Sequence, residues 1–116
     1  MQKSVVCHNF INGAWVAGES GTQEVISPHH GKKIRQYYIP SHAQIDRAIQ
    51  AAAKAQLDWR SRPMKERAQI LFNFRNILLR NQDEIAALKS SECGKTLSEA
   101  KAGLMKGIEV LEFALS

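Results

Sequence analysis

The spacing of apolar positions divides the chain into a short β region and a longer helical region. Up to residue 40, apolar residues come in brief runs separated by Gly, Pro and Asn, which is typical of strands and turns. From residue 41 to residue 116 they recur at steps of three and four, the period of an amphipathic helix. The pattern predicts an α+β fold, with an antiparallel β meander over residues 1–40 followed by four helices over residues 41–116.

The clearest turn signal in the β region is Asn12-Gly13, which separates two apolar runs. Asn-Gly supplies the two positive-φ residues that a type I′ turn requires, so we predict a β-hairpin here. Two further strands are predicted, each ending at a proline: Gln23–Ser27 before Pro28, and Lys33–Ile39 before Pro40.

Short capping patterns mark where the helices begin. Ser41 with Gln44, and Thr96 with Glu99, fit the capping box, in which the first side chain accepts the third residue's amide proton and the third side chain reaches back. The last helix is therefore predicted to start near Leu97. The other predicted boundaries are Trp59 at the end of the first helix, Pro63 in the first turn of the second, Asn81 with Glu84 capping the third, and Gly94 ending it.

Two helices have notable apolar surfaces. The second carries only a narrow polar strip, which predicts that it is covered on more than one side. The last helix has a continuous apolar stripe that faces a core, and Gly103 and Gly107 lie four residues apart in it. These glycines indicate either the close approach of another backbone or tolerated surface positions. The stripe consists of Leu97, Ala100, Leu104, Gly107, Ile108, Leu111 and Leu115.

The last helix has no stop signal before Ser116. No Gly, Asn, Lys or Arg occupies its final turn, and Glu109 and Glu112 lie near the negative end of the helix dipole, where a cation is preferred. We therefore expect the chain to be cut at Ser116, with further protein beyond it.

Length and charge narrow the possible functions. The 116 residues, 44% hydrophobic, amount to one domain. The net charge of +5 would suit a nucleic-acid binder, but it is a gradient: 12 basic and 5 acidic residues lie up to Arg80, and 4 basic and 6 acidic residues follow. We predict no nucleic-acid partner.

The compartment is predicted from cysteines and apolar runs. Two cysteines, Cys7 and Cys93, do not make a disulfide framework, which favours a reducing compartment. The first residues contain neither a signal peptide nor an Arg-rich transit segment, and no stretch approaches the roughly 20 apolar residues that span a bilayer. We predict a cytoplasmic protein without a membrane partner.

Three patterns could carry chemistry, and each has a simpler explanation. Gly94-Lys95-Thr96 resembles the end of a phosphate-binding loop, but Lys89 stands where that loop needs its first Gly, so we interpret it as a helix end followed by a helix cap. Cys93 as a nucleophile would need a lowered pKa, which the end of a helix does not favour. Metal ligation is not predicted either, because the spacing matches no zinc pattern; the residues concerned are Cys7, His8, His29 and His30.

The order of the motifs resembles the N-terminal portion of the aldehyde dehydrogenase superfamily. The similarity begins at Phe10-Ile11-Asn12-Gly13-x-Trp15 and covers nearly the whole chain. Within the superfamily, the segment from Gly94 to Ala100 and the segment from Gly107 to Ala114 are most similar to the CoA-acylating methylmalonate-semialdehyde dehydrogenase branch. Two positions depart from the branch: His29-His30 in the turn after Pro28, and Cys93, where the branch commonly has His. The other matching positions are Pro28, Ala51–Trp59, Arg67 and Glu92-x-Gly94-Lys95-Thr96-Leu97.

The resemblance implies a specific activity for the parent protein. Such enzymes bind NAD in a Rossmann-like α/β domain and oxidise an aldehyde through a cysteine thiolate, and in this branch CoA takes the acyl group with decarboxylation. Family members carry their catalytic and cofactor residues beyond the segment that matches here. No catalytic, cofactor-binding or metal residue is therefore assigned in residues 1–116, which correspond to the N-terminal part of the cofactor domain. The implied parent is a homo-oligomer acting on a small aldehyde.

One alternative stays open from the sequence. The chain could be a stand-alone helical interaction module, with the apolar stripe of the last helix as its docking surface. The acidic, uncapped end of that helix favours the enzyme fragment over this module.

Overall fold

The computed structural model describes residues 6–116, which form two compact units, one up to Ser61 and one from Arg62 to Ser116. Helix α1 groups with the strands and not with the later helices. The α+β class with four helices is confirmed. The strands are β1 Val6–Cys7, β2 Asn9–Ile11, β3 Ala14–Val16, β4 Thr22–Ile26 and β5 Lys33–Tyr38. The helices are α1 His42–Ser61, α2 Met64–Arg80, α3 Gln82–Cys93 and α4 Leu97–Leu115.

The predicted hairpin is confirmed as β2 paired antiparallel with β3. Its turn residues have positive φ, 51° at Asn12 and 78° at Gly13, as a type I′ turn requires. Phe10 lies opposite Trp15, and their ring centroids are 4.8 Å apart. The hairpin forms from local information because its turn residues and its cross-strand pair all lie within a few residues of each other.

The remaining strands form a separate sheet in the order β1-β5-β4. Strands β4 and β5 pair antiparallel as predicted, but β1 pairs parallel to β5, with Val6 opposite Gln36. The expectation of a single antiparallel meander was wrong in this respect. A parallel pair needs a long connection, and the hairpin with β4 supplies it. A two-residue strand carries no sequence signal that specifies the distant strand with which it pairs.

The turn between β4 and β5 is closed by Ser27, which is 2% exposed. Ser27 donates its backbone N–H to the Lys32 carbonyl at 2.9 Å and its hydroxyl accepts from the His29 amide at 3.2 Å. Gly31, with φ of 68°, donates to the Ser27 carbonyl at 2.8 Å. Both strands end one residue before their predicted last residues, at Ile26 and Tyr38.

Helix α1 begins where the capping box predicted. The Gln44 amide donates to the Ser41 hydroxyl at 3.1 Å, and the Ser41 amide donates to the Gln44 side-chain oxygen at 3.1 Å. The helix continues two residues past Trp59, to Ser61.

The core of the second unit lies between α3 and α4, where Ala86, Ala100 and Ile108 are at most 1% exposed. The predicted stripe of α4 therefore faces this core through Ala100 and Ile108. Its first leucine, Leu97, is 49% exposed. Glu112 is held by Arg75 of α2, with Nε and Nη2 each 2.5 Å from Oε1, so a cation offsets its unfavourable place near the helix end.

Two boundary predictions for α2 and α3 were wrong. Pro63 is the residue before α2 and not part of its first turn. Asn81 makes no side-chain cap to α3; its φ of −106° and ψ of 14° do not have the extended geometry of a cap, and its side chain donates to the Ile77 carbonyl at 2.7 Å instead. Asn81 thus closes α2.

The glycine pair of α4 does not meet another backbone. A Cβ at Gly103 would approach the side-chain nitrogen of Lys89, which is the mobile end of a flexible chain. A Cβ at Gly107 would have nothing within 4 Å. Of the two explanations, tolerated glycine fits the residues that the structure describes.

Candidate functional site

The link between α3 and α4 is a pair of helix ends. Gly94 has φ of 70° and donates to the Ser90 carbonyl at 3.0 Å, which ends α3 as predicted. Thr96 then caps α4: its amide donates to the Glu99 carboxylate at 3.1 Å, and its hydroxyl accepts from the Glu99 amide at 3.3 Å. A carboxylate therefore occupies the place where a phosphate would have to bind, so this link is not a phosphate site.

The two cysteines and the histidines lie apart from any metal arrangement. Cys7 and Cys93 are free and exposed, Cys93 being the last residue of α3. No group of three or more His, Cys, Asp or Glu side chains positioned for a metal ion occurs among residues 6–116. Within the same residues, no helix is long and apolar enough to cross a bilayer.

A cluster of hydrogen-bonded polar groups surrounds Gln44 at the start of α1. Gln44 is 6% exposed, and both the oxygen and the nitrogen of its side-chain amide are hydrogen-bonded. The oxygen accepts from the Glu19 amide at 2.7 Å as well as from Ser41, and the nitrogen donates to the Ala17 carbonyl at 2.9 Å. One side chain thus joins the loop after β3 to the first turn of α1, and we name Ala17, Glu19, Ser41, Gln44 and Arg47 the Gln44 network.

Glu19 is the charged member of this network. Its carboxylate accepts from the Ser41 hydroxyl at 2.7 Å and from Arg47 Nη2 at 2.7 Å. The Ser41 hydrogen bond, followed by the charge of Arg47, lowers the pKa of Glu19 from its ordinary value. Because the Glu19–Arg47 ion pair is exposed, its contribution to stability is modest. The hydrogen bonds of the buried Gln44 side chain contribute more to the stability of the network.

An open groove runs beside the network between α1 and the hairpin. It has a volume of about 540 Å³ and is lined by polar side chains over alanines: Asn12, Arg47, Gln50, Ala51, Lys54 and Ala55. A smaller open space of about 250 Å³ is lined by Phe10 and by alanines of α1.

The geometry is that of a structural junction. Gln44 binds two backbone amides and one carbonyl through part-buried hydrogen bonds, which stabilises the loop and the helix start together. The Ser41–Gln44 capping pattern predicted the local half of this arrangement. The contacts to Ala17 and Glu19 were missed because no sequence signal specifies them.

Comparison with known proteins shows the family of this chain. The family model described as "Aldehyde dehydrogenase family" matches residues 15–116. This chain belongs to the aldehyde dehydrogenase family. The resemblance predicted from its motifs is thereby confirmed.

Curated relatives of this aldehyde dehydrogenase chain point to one branch. It is 37% identical over 115 residues to malonate-semialdehyde dehydrogenase 3 of Geobacillus kaustophilus, covering 98% of this chain and 24% of that protein. It is 39% identical over 107 residues to malonate-semialdehyde dehydrogenase of Bacillus pumilus, covering 91% of this chain and 22% of that protein. The chain thus spans about a quarter of the length of the curated relatives it matches.

Solved structures agree in fold. A structure assigned to methylmalonate-semialdehyde dehydrogenase of Sinorhizobium meliloti, complexed with NAD, superposes with a TM-score of 0.93 at 31% identity over 100% of this chain and 24% of that one. Methylmalonate-semialdehyde dehydrogenase of Oceanimonas doudoroffii gives a TM-score of 0.90 at 33% identity, over 98% of this chain and 23% of that one. The similarity to this branch that the Gly94–Ala100 segment indicated is confirmed.

Proposed function

We propose that this chain is the N-terminal scaffold of an NAD-dependent aldehyde dehydrogenase that oxidises malonate or methylmalonate semialdehyde to an acyl-CoA with decarboxylation. The observation that carries the proposal is the 37% and 39% identity to two malonate-semialdehyde dehydrogenases over 98% and 91% of the chain. The NAD-bound Sinorhizobium structure supports the choice of cofactor. We further propose that residues 1–116 form the N-terminal part of the cofactor domain of a cytoplasmic homo-oligomer.

The N-termini of α1 and α4 do not fit the pyrophosphate of NAD. A dinucleotide pyrophosphate binds at a helix N-terminus with free amides. At α1 the Ser41 hydroxyl already accepts from the Gln44 amide, and at α4 the Glu99 carboxylate occupies the cap and would repel a phosphate. We therefore expect the cofactor contacts to come from the part of the dehydrogenase that this chain does not match.

A scaffold role is consistent with the chemistry that is present. The Gln44 network and the Thr96 capping box hold helix starts, and neither presents a side chain activated for attack on a carbonyl. In this proposal the chain's residues position outer elements of the cofactor domain, and they touch neither aldehyde nor nicotinamide.

The proposal predicts that purified residues 1–116 do not oxidise malonate semialdehyde. NADH absorbance would be followed with malonate semialdehyde, NAD and CoA, with the intact Bacillus pumilus malonate-semialdehyde dehydrogenase as the positive control. We expect no NADH from the chain and none of the saturable NAD binding that the control shows in calorimetry. Turnover by the chain alone would overturn the scaffold role.

A second candidate is an interaction module on another face of α4, because the stripe that the sequence offered as a docking surface faces the core through Ala100 and Ile108. Val110 and Phe113 are 69% and 83% exposed on α4, on the side away from its core-facing stripe. Such exposed apolar side chains mark interfaces. This candidate predicts self-association, so a monodisperse monomer in light scattering would count against it.

A further inference from the structure

The groove between α1 and the hairpin carries more positive charge than the neighbouring carboxylate neutralises. Arg47 and Lys54 lie seven residues apart on α1, a spacing that puts both on one face of the helix, and both line the groove. Arg47 is paired with Glu19, whereas Lys54 makes no ion pair or hydrogen bond with any of residues 6–116. Because one carboxylate meets two cations, the groove keeps an excess of positive charge.

Arg47 is held in position at this groove. Its Nη2 donates to Glu19 Oε1 at 2.7 Å, and the Ser41 hydroxyl donates to the other oxygen of the same carboxylate at 2.7 Å. A guanidinium has five N–H donors, and the contact with Glu19 uses one of them. The remaining donors of a guanidinium that is already oriented suit a carboxylate or a phosphate, since both anions accept two hydrogen bonds side by side.

Two uncharged amide side chains line the same groove. Gln50 lies about one turn after Arg47 and about one turn before Lys54, and Asn12 belongs to the hairpin turn. Neither side chain is hydrogen-bonded within the part of the chain that the structure describes. A side-chain amide donates hydrogen bonds to an anion without changing the charge of the site. Gln50 and Asn12 therefore add donors to the end of the groove that holds the two cations.

The groove continues into an apolar space. The smaller space beside it shares Asn12, Ala51 and Ala55 with the groove and adds Phe10. Phe10 is 61% exposed and its ring centroid lies 4.8 Å from that of Trp15, so an aromatic surface borders this space. The groove volume of about 540 Å³ is within the usual range for small-molecule sites. One cationic end and one apolar end favour a ligand with the matching two ends.

We propose that the groove between α1 and the hairpin binds a small organic oxyanion, a carboxylate or a phosphate, that carries an apolar part. The oxygens of the ligand bind Arg47 and Lys54, and its apolar part lies on the alanines of α1 and on Phe10. The site is on the flank of α1 and does not use the helix N-terminus, where Ser41 and Gln44 bind each other. The inference is independent of the proposed function, because it concerns binding and not oxidation.

The test is a titration of the isotope-labelled chain, followed by the NMR shifts of its backbone amides. Phenyl phosphate and phenylacetate carry both ends of the expected ligand, inorganic phosphate carries the anion alone, and benzyl alcohol carries the ring without a charge. We expect both organic anions to shift the amides of the hairpin turn and of residues 47–55. We also expect them to bind at least about threefold more tightly than inorganic phosphate or benzyl alcohol, because each end adds a contact.

The cationic end is tested with Lys54→Met, which removes the charge and keeps an unbranched side chain. Its matched control is Lys65→Met, which makes the same change on α2, in the other unit. We expect Lys54→Met to weaken both organic anions at least about threefold and Lys65→Met to leave their affinities unchanged. The comparison separates a contact at the groove from the net positive charge of the chain.

The apolar end is tested with Ala55→Leu, which places a larger side chain in the space that the groove and the smaller space share. Its control is Ala53→Leu, because residue 53 lines neither space and lies roughly 200° around the helix from residue 55. Leucine is a good helix former, so α1 should keep its structure in both variants. We expect only Ala55→Leu to weaken phenyl phosphate and phenylacetate, by at least about threefold, with inorganic phosphate unaffected.

Three outcomes overturn the proposal. In the first, neither organic anion shifts the amides around the groove; in the second, the chain gives no folded spectrum, so the groove does not exist. In the third, Lys54→Met and Lys65→Met weaken binding equally, which assigns the binding to net charge. A preference for phenyl phosphate or for phenylacetate supports the proposal in either case and identifies the head group. None of these results depends on aldehyde oxidation, so the proposed function is tested separately.

Discussion

Helices α1 and α4 begin with the same motif but are held by different interactions. At α4, Thr96 and Glu99 bind each other and the Thr96 hydroxyl also contacts that of Ser98, so the cap depends on residues at most three positions apart. At α1, Ser41 and Gln44 make the same reciprocal bonds, and Gln44 also binds Ala17 and Glu19, which lie 27 and 25 residues away. The α4 cap depends on neighbouring residues alone, whereas the α1 cap also joins distant segments of the chain.

This difference predicts unequal sensitivity to substitution. Removing a local cap frays one helix turn, because water can replace the lost bonds at an exposed end. Removing Gln44 breaks three part-buried hydrogen bonds at once, and these bonds join the loop after β3 to the start of α1. Three substitutions test the contrast.

The largest effect is expected from Gln44→Ala. The substitution removes the hydrogen-bond partner of the Glu19 and Ser41 amides and of the Ala17 carbonyl. Because three hydrogen bonds are lost together, we expect the unfolding free energy of the unit up to Ser61 to fall by about 3 kcal/mol. Both tryptophans, Trp15 and Trp59, lie in this unit, so urea titration followed by Trp fluorescence measures it directly.

The control for Gln44→Ala is Gln50→Ala, which makes the same change at an exposed position of α1. We expect it to cost less than about 0.5 kcal/mol. Equal losses for the two variants would show that the Gln44 network does not hold the junction.

A smaller effect is expected from Thr96→Ala. It removes the hydroxyl that accepts from the Glu99 amide, and loss of such a cap costs about 1 kcal/mol. Hydrogen exchange of the first-turn amides of α4 measures this loss, which we expect to leave the Trp fluorescence transition unchanged. Thr96→Ser keeps a hydroxyl and serves as the control; if it weakens α4 as much as Thr96→Ala, the cap is not the cause.

The smallest effect concerns pH and the carboxylate of the local cap. Hydrogen bonds from the Thr96 hydroxyl, and then from the Thr96 amide, lower the pKa of Glu99 below its ordinary value. A carboxyl whose pKa is lowered by folding stabilises the protein above its unfolded pKa, and that stabilisation is lost as the pH falls through the folded pKa. We therefore expect protection of α4 to weaken below about pH 4.5.

Glu99→Gln tests the origin of this acid sensitivity. The glutamine amide still accepts from the Thr96 amide but does not titrate, so exchange protection of α4 should depend less on pH in this range. An unchanged pH profile would assign the acid sensitivity to another carboxyl.

The same contrast explains which parts of the fold were predictable. The hairpin at Asn12-Gly13, the left-handed Gly94 and both capping boxes are confirmed because each depends on residues only a few positions apart. Asn81 shows the limit of such reasoning. Its type suits a helix cap, but the backbone there is not extended, and its side chain closes α2 instead.

The sequence by itself determined where helices and turns form, the α+β class and the family, because these follow from local spacing, turn chemistry and motif order. Only the tertiary structure decided that β1 joins β5 in parallel, that Gln44 binds the loop after β3, and that Arg67 keeps an unpaired buried donor. The physical reason is that each of these depends on a partner brought close, or left absent, by the packing of distant segments. A hydrophobic pattern shows that a face will be buried, but it does not specify what will bury it.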